Sequence, residues 1–236
     1  VNNDSAPLEE IVLRSLNGRS PISILEAGCG SISHFRHPAG SRIVGVDISQ
    51  EQLDKNTYLD QKILGSLEDD ILPRESFDVI ICWDVLEHLS RPDLALAGFA
   101  KAVAPGGLIV LASPNVLTLR GILTKMAPHT LKVLYYRHVV GHEEAGLPGT
   151  YPFPAYHRFS MSPPAIVEFA RRSNLELILL RYHSWHHPEY DYPLFRSLWK
   201  AANGMVNFVT AGRIGTDDRQ GFQIVLRKPR GEGRAA

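Results

Sequence analysis

The densest chemical grouping in the 236-residue chain is "DVLEH", Asp84 to His88, which sets two carboxylates and an imidazole within five positions. Asp84 and His88 stand four apart, so a helix would place them on one face. A second imidazole, His157, comes from "AYHRFS" far along the chain. Such a set has three uses. His157 or His88 can take a proton from an acceptor hydroxyl near neutral pH. The carboxylates and imidazoles together can ligate Mg²⁺ or a transition ion. Glu87 and His88 can instead simply orient their loop. Two further features bear on a ligand: the glycine turn in "ILEAGCGSIS" (Ile24 to Ser33) and Asp47 at the end of "RIVGVD".

The elements that must position these residues alternate along the chain. A helix is expected over Ser5 to Leu16, ended by Asn17-Gly18, with Leu8, Ile11, Val12 and Leu16 on one face. Strands are expected at Ile22–Glu26, Arg42–Asp47, Gln61–Gly65, Phe77–Trp83, Leu108–Ser113, Leu175–Tyr182 and Phe222–Lys228. "FDVIICW" is an unbroken apolar run, as in a parallel strand covered on both faces. Ser49 and Gln52 form a capping box for a short helix through Asn56. Helices follow at about Pro92–Ala104, stopped by Pro105-Gly106-Gly107, and after Ser162 to about Ser173. This alternation gives an α/β layered fold with a mainly parallel sheet. Val116 to Met161 and His183 to Gln220 break the alternation, and loops of that length are usually functional covers. The second holds an apolar helical piece near Leu198 to Val209.

In an open α/β sheet, ligands bind beyond the carboxyl ends of the strands, and the glycine turn follows the first strand. Three details argue against a dinucleotide. Ser33 replaces the glycine that allows close helix–strand packing. Residues 31 to 41, with Pro38 among them, leave no room for the long helix that would hold a pyrophosphate. Glu26 would repel phosphate and attract an ammonium. Asp47 can take both hydroxyls of a ribose. Ribose, ammonium and no phosphate describe S-adenosylmethionine.

The pieces "ILEAGCG", "IVGVDIS", "ILGSLEDDILPRESFDVIICWDVLEHLSRP", "APGGLIVLASPN" and "HRFS" run in order from Ile24 to Ser160. With them the chain resembles the class I S-adenosylmethionine-dependent methyltransferases, in particular the group of ubiquinone-biosynthesis O-methyltransferases. The resemblance implies a Rossmann-like three-layer sandwich, its seven-stranded sheet in the order 3-2-1-4-5-7-6 with the last strand antiparallel. It makes 1–229 one methyltransferase domain, with 116–161 and 183–220 inserted as substrate covers and 230–236 a flexible tail. It places Glu26, Ala27, Gly28 and Gly30 at the methionine end of S-adenosyl-L-methionine, or of its product S-adenosyl-L-homocysteine. Asp47 would hold the ribose, Ile48 would pack on the adenine, and Ser66 and Leu67 would meet the adenine edge. Cys82 and Trp83 would approach the methionine moiety. Asp84, Glu87, His88 and His157 also resemble the metal set of metal-dependent ubiquinone and small-RNA 2′-O-methyltransferases. Base or positioning chemistry by His157, His88 and Asp84 is preferred to a divalent metal.

Composition narrows the partners. Lys plus Arg equals Asp plus Glu, so no overall field recruits DNA or anionic lipid. Two cysteines, Cys29 and Cys82, make neither a disulfide framework nor a zinc site. "VNNDSAP" carries no secretory signal, and no apolar run reaches the roughly 18 residues of a membrane span. A cytoplasmic monomer or homodimer is expected. "KVLYYRH" interleaves basic and aromatic residues, which reads as part of a substrate cover with its aromatics inward rather than as a nucleic-acid face. His186-His187 read as surface residues. Tyr135, Tyr136, Tyr151, Phe153, Tyr156 and Trp185 in the covers suit an apolar or ring-bearing small-molecule acceptor: a natural-product, quinone, lipid or glycoside intermediate. The alternatives are an RNA (2′-O) methyltransferase and a non-catalytic cofactor-binding regulatory subunit; a dinucleotide oxidoreductase ranks behind both.

Overall fold

The computed structural model describes residues 6–16, 19–33, 35–147, 150, 152–185 and 192–230. Ser5, Asn17-Gly18, Tyr151, His186-His187 and all but Arg230 of the tail, each given a role above, lie outside the described residues. Seven strands form one sheet: β1 (Ser23–Ala27), β2 (Arg42–Asp47), β3 (Gln61–Leu64), β4 (Phe77–Trp83), β5 (Val103–Pro114), β6 (Glu176–His183) and β7 (Gly221–Arg227). Their order is β3-β2-β1-β4-β5-β7-β6. β1 to β5 pair in parallel, and β7 lies antiparallel to both neighbours.

Alternation along the strands builds a core on each face. Leu25, Ile80, Cys82, Ile109, Leu111 and Ile224 point to one side, against Phe99 of α3 (Pro92–Ala102) and Ile166 of α6 (Pro163–Arg172). Their sequence neighbours Ile24, Val79, Ile81, Leu108, Val110 and Val225 point to the other, against Leu8 and Val12 of α1 (Ala6–Ser15). A strand covered on both faces must be apolar at every position, which is why β4 reads as an unbroken run. At its amino end, Asp78 ties β4 to β1, accepting from Ser23 N at 3.0 Å and Arg19 Nη1 at 2.8 Å.

Two expectations need correction. α3 stops at Ala102, and Val103 to Gly107 belong to β5 rather than to a loop. The pairing jumps from Phe77–Val103 to Val79–Leu108, and the extra residues are absorbed as a bulge containing Gly106 at φ 75°. At α2 (Gln50–Lys55) the capping box is half made. Ser49 caps Gln52 N at 3.3 Å, but the Ser49 N–H goes to Asp47 Oδ1 at 2.8 Å.

The long inserts have structure of their own. The first forms α4 (Leu119–Met126), α5 (His129–Tyr135) and a π-turn at Tyr136–Val140; the second forms α7 (Pro193–Val209). Tyr135 and Tyr136, expected to pack inward, are half-buried, and the other cover aromatics Phe153, Tyr156 and Trp185 are exposed.

Candidate active site

β1 ends in a turn that only glycine fits. Gly28 holds φ 72°, and a Cβ there would lie 2.4 Å from the Val85 side chain. Its N–H and that of Cys29 both reach Val46 O on β2. No helix follows; residues 28–41 form an irregular loop among the described residues. Glu26, 4 % exposed, anchors that loop. It accepts from Ser33 Oγ, from His37 Nε2 at 2.8 Å and from Tyr58 Oη at 3.2 Å. Ser33, the residue that departs from the glycine pattern, thus supplies a hydroxyl that the buried carboxylate needs. Burial and the Glu26 charge push the Tyr58 phenol up, so it stays a donor. His37 and Tyr58 gave no sequence signal, because the two loops that bring them to Glu26 have no periodicity.

Asp47 closes the groove on the β2 side. Its Oδ2 accepts from Gly30 N at 2.9 Å and its Oδ1 from Ser49 N. A carboxylate offers about four acceptor positions, so two remain for a pair of hydroxyls. Ile48 is 77 % exposed beside it, an apolar surface with nothing packed on it that a flat ring would cover. Ser66 accepts from Glu68 N at 3.1 Å and shapes the turn after β3.

Leu67 and Cys82, expected at the adenine edge and near the methionine moiety, turn their side chains inward. Both side chains are buried in the core, so only their backbone atoms can face a ligand. The reason for Cys82 is the strand period: Ile81 and Trp83 point to the side that lines a narrow cavity with Glu26, Ala27, Gly28, Cys29 and Ile32, and Cys82 points away. Burial pushes the Cys82 thiol up. Burial, Asp47 and Glu26 push Cys29 up to about 12. Neither thiol is a nucleophile at neutral pH.

The "DVLEH" segment is not an α-helix. Leu86–His88 form a single 3₁₀ turn, preceded by Asp84 at φ 52°, so Asp84 and His88 do not share a helix face. The segment 153–158 docks on this turn. Glu87 O accepts from Tyr156 N at 2.7 Å and His157 N at 3.1 Å, and Phe153 meets the His88 ring edge-on. His88 Nδ1 lies 2.6 Å from Pro154 O. A carbonyl only accepts, so Nδ1 carries a proton and donates to it. His157, at φ 46°, is 6 % exposed, and its Nδ1 has no hydrogen-bond partner among the described residues. Asp84 and His157 thus share left-handed backbone, and His157 adds a buried nitrogen with no partner among the described residues.

Burial raises Glu87 above the ordinary carboxylate range, although Ser113 Oγ donates to it at 2.9 Å. Burial and then the Glu87 charge raise Asp84, with His88 opposing. Asp84 is exposed, so water offsets part of that rise, while Glu87 is enclosed. Burial, then Lys132, His88 and Lys125, lower His157 to about 4. His157 is therefore neutral at physiological pH and a weak proton acceptor, whereas the carboxylates are tuned toward neutrality. Among the described residues no three His, Cys, Asp and Glu side chains are grouped to hold one metal ion.

These shifts oppose each other in the stability profile. Raised Glu87 stabilises the fold below its unfolded value of 4.5 and loses that contribution as pH rises through its folded value. Lowered His157 does the reverse: its contribution is full above 6.5 and is lost as pH falls toward 4. Between about 4.5 and 6.5 the two slopes offset each other. Removing one should uncover the other. In Glu87→Gln, urea midpoints are expected to rise with pH across that window more steeply than in the parent; parallel curves would show that Glu87 does not hold its proton in the fold.

A model of the methyltransferase domain family matches residues 3–180. The chain belongs to that family. It is 32% identical over 136 residues to the mitochondrial ubiquinone biosynthesis O-methyltransferase of Schizosaccharomyces pombe, covering 52% of this chain and 49% of that protein. The Burkholderia vietnamiensis ubiquinone biosynthesis O-methyltransferase is 25% identical over 206 residues, covering 81% of this chain and 78% of that one. The chain spans about half the length of most such relatives. Among solved structures, a sarcosine dimethylglycine methyltransferase homologue from Galdieria sulphuraria superposes with a TM-score of 0.57 at 15% identity, covering 95% of this chain and 86% of that one. The fold is that of the class I methyltransferases, and S-adenosylmethionine is the cofactor of this family. The residues present fit it: the glycine cradle, the spare acceptor positions of Asp47 and the bare face of Ile48 lie around one groove.

Proposed function

We propose that the protein methylates an oxygen atom of a small apolar or ring-bearing acceptor, using S-adenosylmethionine. The observation that carries this reading is the closure of Asp84, Glu87 and His157 on the end of β4, next to the glycine turn. Glu26 of β1 pairs in register with Ile81 of β4, and Val85 packs directly against Gly28. Glu26, Ala27, Gly28, Gly30, Asp47, Ile48, Ser66 and Trp83 would line the cofactor groove, with Leu67 and Cys82 contributing backbone.

When bound, the cofactor supplies an electrophilic methyl group on a sulfonium. Asp84 takes the proton that the acceptor oxygen loses, since its carboxylate is both reachable and raised. Glu87 sets that affinity through its charge and burial. His157, neutral, helps position the acceptor; alignment of the two reactants supplies the larger share of the rate. The names of the O-methyltransferase relatives support an oxygen acceptor on a ring, and Phe153, edge-on against His88, supports an apolar one.

A methyl-transfer screen over phenols, carboxylic acids, sugars and amines tests the reading, with S-adenosylhomocysteine formation as the signal. Turnover of phenols or other hydroxylated rings is the expected outcome. Turnover of amines alone would move the chemistry to nitrogen. Cofactor binding without any turnover would make the chain a regulatory subunit.

A further inference from the structure

Helix α7 carries Leu194, Leu198, Met205 and Phe208 on an exposed face and turns its other face onto a cavity of about 340 Å³. Arg196, Trp199, Lys200 and Asn203 stand three and four apart on that second face and form one wall. Thr216, Asp217 and Asp218, on the chain's return to β7, form the other. The walls are pinned together, for Trp199 Nε1 donates to Asp217 Oδ2 at 2.6 Å and Asn207 Nδ2 to Ile214 O at 2.8 Å. Gly221, where β7 begins, pairs with Pro114 at the end of β5, so the cavity lies at the carboxyl end of the parallel strands.

Asn203 borders this cavity at only 5 % exposure. Its Nδ2 lies 3.0 Å from Trp199 O. A carbonyl only accepts, so the amide atom facing Trp199 is the NH₂ group and the other, Oδ1, is an acceptor. Oδ1 has no hydrogen-bond partner among the described residues. Buried acceptors are nearly always satisfied, and asparagine is a poor helix former in mid-helix. Helix formation therefore gives no reason for this residue. A hydrogen-bond donor held in the cavity does.

Charge of both signs borders the same space: Arg196 and Lys200 on the α7 wall, Asp217 and Asp218 on the other. We propose that the cavity binds a small zwitterion, an α-amino acid. Its ammonium donates to Asn203 Oδ1 beside Asp217 and Asp218, and its carboxylate accepts from Arg196 and Lys200. A purely anionic ligand would meet the two aspartates, and a purely cationic one the arginine and lysine. A neutral ring without donors would leave Asn203 Oδ1 unpaired. The volume stands at the small end of ligand sites, about 300–1,000 Å³, which suits an amino acid better than a nucleotide. None of these residues belongs to the cofactor groove or to the grouping of Asp84, Glu87 and His157, so the binding does not rest on the methyl transfer proposed above.

Calorimetry with each standard L-amino acid, in the presence of saturating S-adenosylhomocysteine, tests it. At least one amino acid is expected to bind. Its decarboxylated amine and its deaminated acid should each bind at least about tenfold more weakly, the loss of one charge-assisted hydrogen bond. Arg196→Ala with Lys200→Ala should cost at least about tenfold as well. Gly204 offers a variant that fills the space: it borders the cavity, and a Cβ there meets nothing within 4 Å. Gly204→Leu also favours the helix, so it should abolish amino-acid binding while melting temperature and S-adenosylhomocysteine affinity hold. Failure of every amino acid to bind overturns the proposal, as does equal binding of the single-charge analogues or binding retained in Gly204→Leu. So does binding seen only without S-adenosylhomocysteine, which places the amino acid in the cofactor groove. The analogue series on the unaltered chain decides the matter even if a variant misfolds. Absence of methyl transfer with amino-acid binding intact would count against the proposed activity alone.

Discussion

Asp84→Asn should lower turnover by on the order of 10²–10⁴-fold, the usual worth of a positioned proton acceptor, with cofactor affinity nearly retained. Asn keeps the shape and tolerates the left-handed backbone at this position, so the loss would report proton transfer rather than folding. The pH dependence gives a second readout. A carboxylate raised by burial and by Glu87 must ionise before it can act, so activity should climb with pH through that value. Glu87→Gln removes the charge that raises Asp84, and its profile should move to lower pH. Near-parental turnover in Asp84→Asn, or a profile unmoved in Glu87→Gln, would leave a site acting by proximity alone. His157 divides the alternatives further: His157→Ala should lose turnover without losing cofactor, as its partners are the 3₁₀ turn and Lys125 and not the glycine loop.

Asp47→Ala should weaken S-adenosylhomocysteine binding by about 1.5–3 kcal/mol, the scale for a hydrogen bond to a charged group. The structure adds a second effect. Gly30 N and Ser49 N both donate to this carboxylate, so the alanine variant should also lose loop order and some stability. Asp47→Asn separates the two, since its single carbonyl oxygen still accepts one of those bonds. Calorimetry with the nucleoside product checks affinity, and urea unfolding checks stability. Unchanged affinity in both variants would remove Asp47 from the ribose role, and tight NAD binding in the same groove would overturn the cofactor assignment.

The sheet was legible because its strands carry their burial in their composition. "FDVIICW" and "LIVLAS" read as strands covered on both faces, and the resemblance to the class I methyltransferases carried the strand order. Gly28 was equally legible, for a left-handed turn beside Val85 permits nothing larger. What escaped was side-chain direction. Cys82 and Leu67 sit in segments that approach the groove, yet strand period and turn geometry send both into the core. Asp84 and His88 were paired on a helix that the chain does not make. The Glu26 network escaped as well, because His37 and Tyr58 come from irregular loops whose course no periodic pattern records. The outward face of α7 was hidden for the opposite reason: an apolar period of 3.6 looks the same whether it faces a core or the outside.

The antiparallel strand between β5 and β6 sets an order of events during synthesis. β6 is complete at His183, yet its one neighbour, β7, does not begin until Gly221. Until then the nascent chain holds an unpaired strand, an open edge on β5 and a helix with apolar residues outward, a combination prone to association with other chains. Pairing across that gap closes two ladders at once, so the last strand completes the sheet cooperatively. A chain stopped at Gln220 would lose β6 as surely as β7, although every residue of β6 is present, and would be expected to aggregate rather than to fold as a shorter domain.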